Sequence, residues 1–249
     1  MIIERKNAVS NNQAKKTKFV PEVTTNLRKD YIKVPDVIRE ASGIKIMGKR
    51  IKSLIFTTDI AIILNNNADA VLAVYPFTPH PAIVDAISST SNIPVLAGVG
   101  GGLTQGPRSK DMALFAESHN CTAVVLNAPT PLSTIRLIDE VVDIPIVKTI
   151  VSEFTNIQEN LDAGVDIVSV SGAKETANIV RSIREKYPEL PIIATGGPKD
   201  EDIMKTIEAG ANAITYTPPS NGILFSKKMD VYREKVEDDY MKEHGGESY

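Results

Sequence analysis

Three side chains carry groups able to transfer protons or form covalent adducts, and each sits at or near the end of a β-branched run. Asp59 closes Leu54-Ile-Phe-Thr-Thr-Asp59; a carboxylate there offers a general base, a hydroxyl ligand or part of a metal site, or else the N-cap of a helix starting at Ile60. Lys148 lies within Ile144-Pro-Ile-Val-Lys-Thr-Ile150. Pointing inward it loses hydration, falls in pKa and becomes a Schiff-base nucleophile or general base. Pointing outward it reaches solvent, and a carboxylate such as Asp59 or Glu153 would neutralise it if inward. His80 stands between Pro79 and Pro81, a rigid setting that would hold an imidazole for proton transfer or leave it as a surface residue. His119 and His244 fall in polar contexts, and no His, Asp or Glu spacing forms a metal signature. No cofactor is named by the sequence.

A second group of residues suits binding. Gly98-Val-Gly-Gly-Gly102 is followed by Arg108 and Lys110. The successive glycines Gly100, Gly101 and Gly102 let backbone N–H groups converge on an anion, with the cations nearby. The alternative is a loop whose conformation simply demands glycine. The spacing is neither a Walker A nor a dinucleotide fingerprint, and no Gly-x-Ser-x-Gly nucleophile elbow occurs. Asn127, Ser171-Gly172, Gly196-Gly197 and Thr217 follow other runs and complete the candidate ligand-binding set.

These residues need a scaffold that gathers strand ends. Eight short apolar runs (52–58, 70–75, 94–98, 123–127, 145–150, 166–171, 191–195 and 213–217) alternate with amphipathic stretches, the pattern of repeated βα units around a parallel sheet. Their openings alternate too. The third, fifth and seventh begin Ile93-Pro94, Ile144-Pro145 and Leu190-Pro191, whereas the second, sixth and eighth are entered through Asn67-Ala-Asp-Ala70, Ala163-Gly-Val-Asp166 and Ala209-Gly-Ala-Asn-Ala213, each ending a helix on a Gly or Asn able to take the left-handed conformation. A two-unit repeat occurring four times predicts a closed (β/α)8 barrel, in which odd and even strands supply alternate interior layers; an open doubly wound sheet is the alternative. Barrels place their chemistry at the C-terminal ends of the strands, where all these candidates fall.

The helical stretches include Leu132, Ile135, Ile138 and Val142, and a last one, 226–244, whose Met229, Tyr232, Val236 and Tyr240 are expected to pack on the barrel as its eighth helix. Ile44-Lys-Ile-Met-Gly-Lys-Arg-Ile51 alternates about Gly48 and predicts a hairpin plugging the N-terminal end of the barrel. Residues 1–20, rich in Lys, Arg and Asn, read as a flexible segment ahead of a single barrel domain at 21–249.

Length and composition agree with one domain: 249 residues, 42% of them hydrophobic, can bury one large core. A net charge of −3 provides no field for phosphate backbones or anionic lipids, so nucleic acid and membrane partners are not expected. The lone Cys121, in an apolar run, reads as a small buried residue. The chain shows no apolar leader or span, and a cytoplasmic location is the expectation. Self-association into a homo-oligomer is a prior carried by barrels in general.

Ala194-Thr-Gly-Gly-Pro198, followed by Ile207-Glu-Ala-Gly-Ala-Asn-Ala-Ile214, resembles the phosphate-binding superfamily of TIM barrels: thiazole synthases, tryptophan and histidine pathway barrels and flavin-linked dehydrogenases. The resemblance covers the last third of the chain and implies the fold and an anionic ligand near Gly196, Gly197 and Thr217. It departs where those families continue with Gly-Ser or Gly-Thr, because Thr217-Pro-Pro-Ser-Asn-Gly222 has two prolines that donate no hydrogen bond. The chain also resembles uncharacterised bacterial barrel proteins loosely labelled hydrolases and, more distantly, the glycerol-uptake antiterminator barrel. Two functions follow as expectations. One is an enzyme on a small phosphorylated or carboxylated metabolite, by isomerase, lyase or aldolase, or hydrolase chemistry. The other is a non-catalytic barrel that binds a phosphometabolite and regulates a partner.

Overall fold

The structure, a computed structural model, describes residues 19–243. The chain separates into two units, Met1–Asp30 and Tyr31–Tyr249. In the first, the described residues hold one turn, closed by Arg28 N–H donating to the Thr25 carbonyl at 3.0 Å. The reading of 1–20 as flexible falls outside the described residues except at Phe19 and Val20, which are exposed.

The second unit is a (β/α)8 barrel. A short hairpin, β1 (Ile44–Ile46) and β2 (Lys49–Ile51), precedes eight parallel strands: β3 (Ser53–Phe56), β4 (Ala70–Ala73), β5 (Val95–Gly100), β6 (Ala123–Leu126), β7 (Ile146–Ile150), β8 (Ile167–Val170), β9 (Ile192–Thr195) and β10 (Ala213–Tyr216). β10 pairs with β3, which closes the sheet and removes its edges. Helices α1 (Ile60–Leu64), α2 (Pro81–Thr90), α3 (Pro107–Ser118), α4 (Leu132–Asp139), α5 (Ile157–Leu161), α6 (Thr176–Lys186) and α7 (Asp200–Glu208) follow β3 to β9 in turn.

The alternating openings have a hydrogen-bonding cause. Asp69, just before β4, accepts from the backbone N–H of Lys52 (2.8 Å) and Ser53 (3.0 Å) at the start of β3. Asp166 accepts from Ile146 N–H (2.8 Å) and Asn212 from Ile192 N–H (2.9 Å). Each side chain thus satisfies a donor at the opening of the preceding strand that no ladder reaches. Pro145 and Pro191 stand one residue earlier, where no N–H is needed.

Inside the barrel, alternate strands stack side chains in layers. Ala70, Ala123, Ile167 and Ala213 form the lowest, and its three small residues leave room for Ile44, Ile46 and Ile51 of the hairpin, which are buried in the same cluster. The hairpin turns at Met47 and Gly48, both with positive φ (45° and 80°), as a two-residue turn requires. It plugs the N-terminal end as the alternation predicts. Leu54, Leu96, Val147 and Ile193 fill the next layer.

The eighth-helix expectation is overturned. Helix α8 (Asn221–Glu243) contains no fully buried residue: Leu224 in its first turn packs against the core, and Met229 and Tyr240 are half-buried, but Phe225, Tyr232 and Val236 lie exposed along it. The space between α7 and α1 belongs instead to the segment entering the barrel. Ile32 bridges to Asn66 beyond α1, while the 3-10 turn Asp36–Glu40 packs on α7 and buries Ile38. Apolar spacing identified a helix, but an earlier segment had taken its place on the barrel. Among the described residues no helix is long and apolar enough to cross a membrane.

Candidate functional site

All candidates from the sequence lie on the C-terminal face, but the structure assigns several of them to holding the backbone. Asp59 is the N-cap of α1: its Oδ1 accepts from Ala61 N–H (2.8 Å) and Ile62 N–H (3.2 Å). Its second oxygen has no hydrogen-bond partner among the described residues. His80 caps α2, Nδ1 accepting from Ala82 N–H at 3.1 Å, and its own N–H donates to the Tyr75 hydroxyl at 2.8 Å. That capping bond leaves the ring proton of the neutral imidazole on Nε2.

Lys148 departs from the inward reading. It shares its strand face with Ile146 and Ile150 and pairs with Leu126 and Val168, all members of the outer, helix-facing cluster. Only 2% exposed, it donates to the carbonyls of Asn127 (2.8 Å), Ala128 (2.8 Å) and Thr130 (3.1 Å). Burial pushes its pKa down from 10.5 to about 8, while three acceptors matched to three N–H donors oppose that shift. The ammonium therefore fixes the loop after β6 from behind, with no line to a ligand inside the barrel. Cys121 is buried, which pushes its thiol up to about 11 and keeps it unreactive.

The glycine loop after β5 is shaped by close approach. A β-bulge between Gly98 and Gly100 shifts the register against β6. A Cβ on Gly100 would meet Ser109 Oγ at 2.1 Å, and one on Gly101, whose φ is 121°, would meet Asn127 Cβ at 2.3 Å. Gly101 and Thr104 exchange backbone hydrogen bonds (2.9 and 3.3 Å), and Gly106 N–H donates to Thr134 Oγ1 at 2.9 Å. Three of the loop's amides are therefore already engaged, two within the loop and one by α4. Gly102 meets nothing within 4 Å. Arg108 is exposed at the start of α3, whose first turn has neither a side-chain cap nor an acidic residue.

Gly196 and Gly197 answer a similar demand, since added Cβ atoms would stand 2.8 Å from Ile203 and 2.9 Å from Asp202 of α7. The first turn of α7 carries Asp200, Glu201 and Asp202, which already complement the helix dipole and repel a second anion. Gly172 donates its N–H to Thr176 Oγ1 (3.0 Å), and Ser171 and Thr217 are exposed at the rim.

What the barrel mouth brings together was only partly named by the sequence reading. Above the filled layers, the alternation places Leu72, Val125, Ser169 and Thr215 inward, then Phe56, Gly98, Thr149 and Thr195. One half of this wall, on β3 to β6, is apolar or glycine. The other half, on β7 to β10, is entirely hydroxyl-bearing. On the apolar side Asn127 borders a small cleft with Val74, Tyr75, Phe77, Pro79, Gly98, Gly100 and Gly101. Thr195 Oγ1 reaches Thr176 Oγ1 at 3.3 Å. Thr215 is 7% exposed, and its buried Oγ1 has no partner; Ser169 is 6% exposed. The missed signal was a hydroxyl residue in the second half of strands otherwise buried on both faces, as in Ile167-Val-Ser-Val170 and Ala213-Ile-Thr-Tyr216.

No family model matches the chain. A curated relative, inosine-5'-monophosphate dehydrogenase of Chlorobaculum parvum, is 36% identical over 64 residues, a stretch that covers 24% of this chain and only 13% of that protein's length. Among solved structures, phosphoenolpyruvate phosphomutase of Streptomyces platensis subsp. rosaceus superposes with a TM-score of 0.55 at 11% identity, covering 82% of this chain and 85% of that one. The 4-hydroxy-tetrahydrodipicolinate synthase of Methylacidiphilum fumariolicum gives 0.54 at 14% identity over 66% and 67% of the two chains. A mandelate oxidase gives 0.55 at 14% identity over 71% and 69%. At such identities the likeness is one of fold, and the fold is the closed eight-stranded (β/α)8 barrel.

Proposed function

We propose that the chain is a barrel enzyme acting on a small phosphorylated or carboxylated metabolite held in the C-terminal mouth. The observation that carries this reading is Thr215, an inward hydroxyl buried without a partner. A group left so costs on the order of 1–3 kcal/mol in the free protein, a cost that a ligand or ordered water removes. The anionic part of the metabolite belongs at the rim, where Arg108 and Lys110 flank the uncapped first turn of α3. That side suits an anion better than the acidic start of α7. His80 Nε2 and the unengaged oxygen of Asp59 are the proton-transfer groups of this reading, since Lys148 is committed to three carbonyls.

A thermal-shift screen of sugar phosphates and carboxylates tests it, because a ligand that binds only the folded chain raises its stability by mass action. A stabilising compound should be converted on incubation, followed by proton NMR, and His80→Gln should slow that conversion while leaving the stabilisation in place. Absence of any stabilising compound across both classes would overturn the reading. One observation favours a second reading, a non-catalytic binding barrel: the inward residues of the two upper layers include no ionisable side chain. A ligand that stabilises the protein and is recovered unchanged would favour it.

A further inference from the structure

We infer that the part of the ligand entering the barrel is uncharged: a hydroxyl- or carbonyl-bearing group that hydrogen-bonds Thr215, Ser169 and Thr149 and lays its apolar edge against Leu72, Val125 and Phe56. This rests on the mouth being the ligand site, and it adds which portion of the ligand goes where.

The division of the wall is the first argument. Thr149 pairs in register with Ser169, and Thr195 with Thr215, so four adjacent strands turn hydroxyls to one side of the lumen. Leu72, Val125 and Phe56 face them from β4, β6 and β3. A group with one polar and one apolar edge satisfies both sides, whereas neither water alone nor a purely apolar group does.

Charge is the second argument. A carboxylate or phosphate at that depth needs a cation or several N–H donors, since an unpaired buried charge is far costlier than an unpaired hydroxyl. The wall supplies none. The cation nearest along the chain, Lys148, is one residue from Thr149, but it lies on the opposite face of β7 with its ammonium donating to three carbonyls. Three amides close to the hydroxyl arc are occupied as well: Ser171 N–H donates to the Ile150 carbonyl (2.8 Å), Gly172 N–H to Thr176 Oγ1 (3.0 Å) and Gly196 N–H to the Thr215 carbonyl (3.3 Å). Hydroxyls both donate and accept, so the arc takes either a hydroxyl or a carbonyl of the ligand. An anion is left at the rim.

The test compares neutral probes, D-ribose, D-xylose and their pentitols, with the matching 5-phosphates and inorganic phosphate, by thermal shift and calorimetry on the full chain. Two variants accompany the wild type, Thr215→Val, which keeps the shape and removes the hydroxyl, and Ser169→Ala. The expected result is that at least one neutral probe stabilises the wild type and its 5-phosphate binds more tightly. Thr215→Val should weaken both roughly tenfold while leaving the free protein as stable as before or more so, because it deletes an unsatisfied group. If the neutral probes are silent while inorganic phosphate binds and loses its effect in Thr215→Val, an anion enters the arc; this inference falls and the mouth remains the site. If probes bind equally well to wild type and both variants, the ligand lies elsewhere and both readings fall. Silence from every probe counts against both.

Discussion

Alanine substitution at three consecutive glycines separates a conformational demand from a ligand-binding one. At Gly102 φ is 58° and an added Cβ meets nothing within 4 Å; only the left-handed backbone is charged to alanine, about 1–2 kcal/mol. At Gly101 two effects add. Its φ of 121° lies beyond the left-handed helical well, a strain of about 1–3 kcal/mol. Its Cβ would also stand 2.3 Å from Asn127 Cβ and 2.9 Å from Asn127 N, which forces β5 and β6 apart at an overpacking cost of about 1–3 kcal/mol. Gly100→Ala suffers the clash without the strain, against Ser109 Oγ at 2.1 Å and Thr104 O at 3.0 Å. The expected order of destabilisation is Gly101 over Gly100 over Gly102. For a domain of this size about 1 kcal/mol corresponds to about 2–4 °C, so melting temperatures should fall by roughly 10 °C for Gly101→Ala and by roughly 4 °C for Gly102→Ala. Urea unfolding followed by circular dichroism would measure the same ranking with unchanged m-values. Equal, small losses of stability at all three positions would refute the packing argument and return the loop to an amide cradle.

Lys148 makes stability depend on pH. Its folded pKa, about 8, lies below the ordinary 10.5, so between those values the unfolded chain holds more protons and stability rises with pH, by about 3 kcal/mol relative to Lys148→Met over that window; urea titrations at pH 8 and 10.5 would show parallel behaviour of the two proteins if the reasoning is wrong. Asp59→Ala should cost about 1 kcal/mol through loss of the α1 cap, with Asp59→Asn recovering most of it in thermal melts. A larger loss of conversion than of stability in Asp59→Asn would mark the carboxylate as a proton-transfer group. A chain ending at Ser226 should melt within about 3 °C of the full one, because the residues removed from α8 are all outside the core; a collapse of the barrel would show that α8 packs where the exposure of Phe225 and Val236 says it does not.

The barrel was legible because its repeat has a local cause. Proline opens the third, fifth and seventh strands, and at the last two of these Asp166 or Asn212, standing before the next strand, accepts from the first N–H after the proline, so these marks fall at fixed places along the chain. The hairpin plug was legible for a similar reason, since Met47-Gly48 and the isoleucines around it define a turn and one apolar face. The fate of α8 was not. Its stripe of Met229, Tyr232 and Val236 is what a packed helix requires, but the competing segment around Val34 and Ile38 is distant in sequence and short, and nothing in either stretch says which of them fills the outer ring.

The site was harder to read than the fold, and the same feature accounts for both failures within it. Strands of a closed barrel are buried on both faces, so alternation of apolar and polar residues, which distinguishes inside from outside in a half-exposed sheet, is erased over most of their length. In β7 the adjacent Lys148 and Thr149 are both polar and one of them must face the lumen; sequence favours the residue with the more reactive group, whereas the register sends the lysine outward to the Asn127, Ala128 and Thr130 carbonyls and the threonine inward. The long side chain suits the outward place because an ammonium there finds three carbonyls at a loop corner. The inward places went to short hydroxyls, Thr149, Ser169, Thr195 and Thr215, which cost less to bury than a charge and reveal themselves only when four strands are laid side by side. A charged residue inside this strand pattern therefore points away from the lumen, toward backbone it can hold.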